Sequence, residues 1–256
     1  MLEVTPVPTL NDNYVWLLHG EQPEHVAIVD PGEAGPVREA LQARNLTPKA
    51  ILVTHRHWDH VNGIEALLED FDVPVYGPAD EPVPARSRGL RDGDRLELPD
   101  LGLSFHIHGI PGHTLGHIAY SGHGLLLSGD TLFSGGCGRM FEGEPQQMLA
   151  SLDKLAALPG DTRLYCGHEY TLKNLDFCEA VEPQNPYIGQ MRTRAKARLA
   201  AAQPTLPTTL AEENQFNVFL RCREPSVQKA AIQRAGHELN TAHEVFAVIR
   251  AWKDQF

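Results

Sequence analysis

The sequence predicts an α/β protein in which layered sheets covered by helices occupy the chain up to about Tyr170 and a helical region follows. Three observations carry this. Short runs rich in Val, Ile, Leu and aromatic residues recur as far as Asp130, nearly all bounded by turn residues. Helix-like stretches separate some of them. Beyond Tyr170 the pattern is helical to the end of the chain.

In order, the strand-like runs are EVTPV (3–7), YVWLL (14–18), HVAIVD (25–30), AILVTH (50–55), PVYG (74–77), LSFHIHGI (103–110), IAYS (118–121) and GLLLSGD (124–130), with the short run RLYC at 163–166. Helix-like stretches lie at 34–45, 61–71 and 144–158, then at 171–182, 187–202, 226–236 and 241–256. The expected boundary is near 170–175, dividing the chain into residues 1–172 and residues 173–256. No internal repeat or low-complexity tract interrupts them.

In the last stretch, at about 100° per residue, Val245, Ile249, Trp252 and Phe256 share a face and form the expected buried stripe. Arg250 and Lys253 lie on one flank, one turn apart, placed either to grip a carboxylate together or to form a solvated face with Arg250 paired to Asp254.

Composition bounds the function. A 256-residue chain with 42% hydrophobic and 21% charged residues is long enough to bury its own core. It has no apolar run of the ~18 residues that a membrane span needs, and no basic and apolar leader, so no membrane association is expected. Four cysteines without a CxxC pair are not a disulfide framework, and the expected compartment is the reducing cytoplasm. The net charge of −11 opposes nucleic-acid binding, which rests on phosphate neutralisation. Residues 1–172 carry 11 basic and 24 acidic residues, and 173–256 carry 11 and 9. This is either ordinary surface variation or an acidic front half holding cations beside a tail that receives an anion.

The strongest chemical signal is Thr54-His55-Arg56-His57-Trp58-Asp59-His60. In extended backbone alternate residues share a face, so His55 and His57 can point at one metal. Asp59 and His60 lie where the chain turns into a helix, and can reach another. Imidazole with carboxylate suits zinc and similar divalent ions. His113 in PGHTLGH, Asp130 in LLLSGDT and His168 in CGHEY add donors at loop-like positions. The seven residues suffice for two metals.

His-x-His-x-Asp-His followed by separate His, Asp and His resembles the metallo-β-lactamase-fold hydrolases, and the chain resembles most the glyoxalase II family, the hydroxyacylglutathione hydrolases. NDNYVW (11–16), VDPG (29–32), THRHWDH (54–60), PGHTLGH (111–117), SGDTLFSGGCGR (128–139), CGHEYT (166–171), FNVFLR (216–221) and RAWKDQF (250–256) carry the resemblance over nearly the whole chain. It implies a four-layer αββα sandwich with a helical C-terminal domain, hence a metal-binding catalytic domain over residues 1–172 and a helical substrate-binding domain over residues 173–256. It further implies that His55, His57 and His113 hold one ion, that Asp59, His60 and His168 hold the other, and that Asp130 bridges them. The implied reaction is hydrolysis of S-D-lactoylglutathione to D-lactate and glutathione, the second step of methylglyoxal detoxification. Arg139, Tyr170, Arg250 and Lys253 match the family's glutathione-binding positions, while Phe141 stands where some relatives carry Tyr.

The chemistry suits the residues. A hydroxide bridging two divalent ions is a nucleophile at neutral pH, and Asp59 and Asp130 would hold and orient it. Zinc fits the donors, as do iron and manganese. No G-x-S-x-G elbow offers a serine alternative. Other hydrolases or a mononuclear-iron persulfide dioxygenase of the same fold remain alternatives, with a nuclease opposed by the charge. The expected form is a monomer acting on a small molecule.

Of the remaining residues, Asp30 is read as an outer partner of the ligand loop or a turn residue. His117 is read as a structural hydrogen-bonding residue. His106 and His108 are placed on a strand face, and Cys137 is a small packed residue rather than a nucleophile. Arg192, Arg194, Lys196 and Arg198 form an expected solvated helix face.

Overall fold

The computed structural model describes residues 2–256. The chain forms two compact units that interleave along the sequence, whereas the expected domains, residues 1–172 and 173–256, are consecutive. One unit comprises Met1–Gly109, Gly116–Gly129 and Tyr165–Glu169; the other comprises Ile110–Leu115, Asp130–Leu164 and Tyr170–Phe256.

In the first unit, one sheet runs in the order β1 (Val4–Thr9), β2 (Asn13–His19), β3 (His25–Val29), β4 (Thr47–Leu52), β5 (Val75–Pro78), β6 (Arg88–Leu90). β1, β2 and β3 are antiparallel, and β3 to β6 are parallel. The change follows from the connections: a tight turn joins β1 to β2, while helix α1 (Ala34–Ala43) carries the chain from β3 to β4. All seven residues of β2 are buried, as expected of a strand covered on both faces. Val15 and Leu17 pack in a cluster with Val37 and Leu41 of α1 and Ile64 and Leu67 of α3 (Ile64–Leu68). Trp16, on the opposite face, donates from its indole to the Cys166 carbonyl and meets Tyr165 edge-on.

The second sheet of this unit is antiparallel through β7 (Arg95–Leu98), β8 (Leu103–Gly109), β9 (Ile118–Gly122) and β10 (Leu125–Gly129). Tyr120 of β9 is fully buried and its hydroxyl donates to the Val53 carbonyl, satisfying a phenol that burial would otherwise penalise. The expected helix at 61–71 is the shorter α3, and a separate short helix, α2 (Trp58–Val61), precedes it. Gly63 lies between them, so close to the 31–34 turn that a Cβ there would stand 2.6 Å from the Pro31 carbonyl oxygen.

The second unit is mainly helical. The hairpin β11 (Leu132–Phe133) and β12 (Gly136–Cys137) precedes α4 (Pro145–Ala156) and β13 (Arg163–Cys166), whose Arg163 and Leu164 pair with β14 (Thr208–Thr209). Then come α5 (Thr171–Val181), α6 (Pro186–Ala200), α7 (Leu210–Phe216), α8 (Pro225–Ala235) and α9 (Ala242–Lys253). α7 escapes the hydrophobic pattern, although its capping box, Thr209 with Glu212, is a readable start signal.

Two expectations about the helices are corrected. Val245 and Ile249 are buried in α9, but the helix ends at Lys253 and Phe256 is 62% exposed; Phe246 is buried instead. The basic face of α6 is solvated only in part: Arg194 and Lys196 are exposed, with Arg194 paired to Glu212, whereas half-buried Arg192 pairs with Asp176 and Glu179 and half-buried Arg198 donates to the Pro204 and Leu206 carbonyls. Among the described residues the cysteines are buried and none is in a disulfide, and no helix is long and apolar enough to cross a membrane.

Candidate metal centre

The ligand loop leaves the end of β4 in an extended conformation and enters α2 at His57, which caps that helix with extended backbone. Extended backbone at His57 accompanies an approach of His55 Nε2 to 3.1 Å from His57 Nδ1. The turn into α2 redirects the next two donors, as the spacing predicts. Asp59 Oδ2 lies 3.6 Å from His60 Nε2 and 3.4 Å from His168 Nε2. Donors held about 2.0–2.2 Å from a tetrahedral ion stand about 3.3–3.6 Å apart, so these three atoms are spaced to share one ion.

The opposite nitrogen of each ring explains why. His60 Nδ1 lies 3.1 Å from Asp30 Oδ2, and His168 Nδ1 lies 2.9 Å from Asp12 Oδ1. A carboxylate only accepts, so each ring carries its proton on Nδ1 and presents the Nε2 lone pair. The same holds in the second unit, where His113 Nδ1 donates to the Arg139 carbonyl at 2.7 Å and Nε2 lies 3.6 Å from Asp130 Oδ2. Imidazole lone pairs aimed beside carboxylate oxygens suit a divalent cation.

Asp30 does more than turn the chain. Its carboxylate also accepts from the Thr54 backbone N–H and hydroxyl, each at 2.7 Å, tying the end of β4 to His60. The next turn residue, Gly32, is forced: a Cβ there would lie 1.8 Å from the Asp59 carbonyl oxygen. His117 stacks on His55 with ring centroids 4.6 Å apart and 13° between planes. Its Nδ1 lies 3.1 Å from the Ile118 carbonyl. His106 is an exposed strand residue, and His108 contacts Ser121.

Sequence reasoning missed several supports. Asn13 donates to Asp59 Oδ2 at 3.0 Å, and Asp12 orients His168; both sit where the chain turns from β1 into β2. Buried Glu81 accepts from the backbone N–H groups of Arg56 and Gly116, at 2.7 and 3.0 Å, and so holds two loops with one side chain. Asp12 and Asn13 belong to the turn-forming run NDN, but nothing local singles out Glu81.

In the second unit, Arg139 is exposed, with its guanidinium 5.6 Å from the Phe141 ring centre and 4.0 Å from Asp254. Phe141 is 61% exposed and its ring centre is 5.3 Å from that of His113. Half-buried Tyr170 meets Phe133 edge-on. Lys253 donates to the Lys173 carbonyl and lies over Phe177 and Phe256. Burial, and next the charge of Arg250, hold its ammonium pKa below the ordinary lysine value. Arg250 is only 5% exposed and donates to the Cys137 carbonyl and to Asp254, the pairing expected at four residues' spacing. Burial pushes the Cys137 thiol up to about 11, which removes it as a thiolate nucleophile at neutral pH.

Comparison with known proteins fits this geometry. Residues 8–168 match the model of the metallo-β-lactamase superfamily, and residues 169–256 match that of the hydroxyacylglutathione hydrolase C-terminus. A hydroxyacylglutathione hydrolase of Alkalilimnicola ehrlichii is 51% identical over 255 residues, and one of Nitrosomonas eutropha is 48% identical over 256, with all of each chain covered. The crystal structure of ETHE1 from Myxococcus xanthus superposes with a TM-score of 0.66 at 23% identity, covering 99% of this chain and 98% of that one. The superfamily match over residues 8–168 identifies the fold there as the metallo-β-lactamase fold.

Proposed function

The chain belongs to the hydroxyacylglutathione hydrolases of the metallo-β-lactamase superfamily, and from that premise we propose that it hydrolyses S-D-lactoylglutathione and related 2-hydroxyacylglutathiones to the hydroxy acid and glutathione. The observation that carries the reading is the convergence of Asp59, His60 and His168, with the far nitrogens of both rings held by carboxylates. It is a hydrolase dependent on divalent metal ions. We assign His55, His57 and His113 to one ion, Asp59, His60 and His168 to the second, and Asp130 to both. The imidazole-rich donors favour zinc.

When bound, the ions supply Lewis acidity, which makes water nucleophilic at neutral pH and offsets charge on the thioester oxygen. The chain does the rest. Asp12, Asp30 and the Arg139 carbonyl keep protons on the outer ring nitrogens, so the inner ones stay available as donors. Asp59 and Asp130 orient the attacking water and carry negative charge opposite it. We assign Arg139, Tyr170, Arg250 and Lys253 to the glutathione moiety; Arg250 also donates to the Cys137 carbonyl and to Asp254. Because the glutathione contacts lie away from the carbonyl carbon, they act equally on ground and transition states. We assign the chemistry, together with the glutathione contacts of Arg139 and Tyr170, to residues 1–172, and the remaining contacts to the thiol moiety to residues 173–256. We place the enzyme in the cytoplasm, as a monomer; its buried cysteines, none in a disulfide, suit a reducing compartment.

The test is direct. Purified protein supplied with zinc should convert S-D-lactoylglutathione to free thiol and D-lactate in equal amounts, and lose that activity to a chelator. Chelator-resistant hydrolysis, or none with zinc present, would overturn the reading.

A further inference from the structure

Glu81 lies in the connection between β5 and β6 and is only 5% exposed. Arg86 Nη1 donates to the Pro78 and Glu81 carbonyls, which closes that connection on itself and fixes where the Glu81 side chain starts. From there the carboxylate reaches two other segments of the same unit. Its Oε2 accepts from the Arg56 N–H at 2.7 Å, and its Oε1 accepts from the Gly116 N–H at 3.0 Å. Glycine at 116 is what permits the approach, because a Cβ there would stand 2.5 Å from Glu81 Cγ.

The two amides flank one pair of rings. Arg56 follows His55, and Gly116 precedes His117, whose ring stacks on that of His55. On the other side of the pair the same two segments are joined directly, since the Ile118 N–H donates to the Thr54 carbonyl at 2.9 Å. His55 and His117 therefore sit between two cross-links: Thr54 to Ile118 through the backbone, and Arg56 to Gly116 through Glu81. Arg56 also separates His55 from His57, so the amide that Glu81 holds lies between two donors assigned to one ion. Those donors, His55 Nε2 and His57 Nδ1, are 3.1 Å apart. A turn of the 55–56 peptide would carry them out of register.

The residue type matters. Both partners are N–H donors, and an ionised carboxyl accepts at both oxygens and donates at neither. An amide of the same length would turn its NH₂ toward one of the two N–H groups. An acid one methylene shorter would keep the charge and lose the reach.

We propose that Glu81 is a positioning residue for the ion of His55 and His57. By accepting from Arg56 and Gly116 together, it fixes the 55–56 peptide and the His117 ring that backs His55. The inference rests on the two-ion reading above.

The experiment titrates metal-free wild type, Glu81→Gln and Glu81→Asp with Zn²⁺ against a chromophoric chelator, then measures turnover at saturating zinc. Groups that orient a ligand change metal affinity by about 10–100-fold when lost. Each variant should hold one of the two ions at least about tenfold more weakly, with the other within about twofold of wild type. KM for lactoylglutathione should stay within about twofold of wild type while kcat falls. Hydrogen exchange of the metal-free variants should quicken at residues 55–57 and 116–118 and not across the whole unit. Should Glu81→Asp fail to fold, Glu81→Gln and its exchange pattern decide. Two ions held as tightly as in wild type would overturn the proposal, as would equal weakening of both. Weakening in Glu81→Gln but not in Glu81→Asp would show that the residue acts through its charge, and would overturn it too. A wild type that itself fails to bind two ions would overturn the dinuclear reading instead.

Discussion

Asp30 Oδ2 lies 3.1 Å from His60 Nδ1, and both side chains are buried, with 4% and 1% exposure. The same carboxylate also caps the end of β4 through Thr54. Fold and ligand orientation therefore share one residue. Asp30→Asn keeps the shape and removes the charge, and should weaken one ion about 10–100-fold with little change in the other. Chelator competition measures it, and equal loss of both ions would point to general loosening instead.

The ligand roles assign different consequences to different donors. Asp130→Ala should abolish activity and lower the content of both ions, because a bridging carboxylate holds each. His168→Ala should empty mainly the ion held with Asp59 and His60. Elemental analysis of each variant reads both outcomes. Two retained ions and wild-type turnover in Asp130→Ala would refute the bridge, and selective loss of the other ion in His168→Ala would reverse the partition.

Phe141 offers a gain rather than a loss. Its ring is exposed and lies between Arg139 and His113, so a para hydroxyl would project from this surface. A neutral hydrogen bond adds about 0.5–1.5 kcal/mol, so Phe141→Tyr should lower KM for lactoylglutathione about two- to tenfold with kcat unchanged. Steady-state kinetics on the two proteins decide it, and identical KM values would mean the hydroxyl meets no substrate atom.

Lys253 tests the tail. A charge-assisted contact is worth about 1.5–3 kcal/mol, so Lys253→Ala should raise KM about 10–100-fold and leave kcat near wild type. A simple thioester lacking glutathione should be hydrolysed equally by both proteins. Unchanged KM would remove Lys253 from the substrate contacts.

Much of this site was legible because its donors are close in sequence or sit at strand ends. His55, His57, Asp59 and His60 announce themselves by period-two spacing followed by a turn. Their supports do not, because they come from distant segments: Asp12 meets His168 across 156 residues. The break between α2 and α3 was hidden for a similar reason, since Gly63 is required by the packed Pro31 turn and not by its neighbours in sequence. The tail shows the limit of angular reading. Angle places Arg250 on the flank of α9, but depth depends on what packs there, and Phe219 with the 130–139 hairpin buries it.

Glu213 makes stability depend on pH. It is completely buried, and burial pushes its carboxyl up to about 6 despite hydrogen bonds from Gly135, Thr208 and Asn217. An acid raised above its ordinary value of 4.5 stabilises the folded state below about pH 4.5. That contribution is lost as pH rises through about 6, and amounts to about 2 kcal/mol. Urea unfolding of metal-free protein should show wild type losing roughly that much relative to Glu213→Gln between pH 4.5 and 7. Parallel curves would show that Glu213 does not titrate in that range.

The most direct test of a two-ion thioester hydrolase is to titrate metal-free enzyme with zinc while following both bound ion and lactoylglutathione hydrolysis. The account predicts that binding saturates at two ions per chain and that full activity appears only with the second. Full activity at one ion per chain, or two bound ions without hydrolysis of the glutathione thioester, would contradict it.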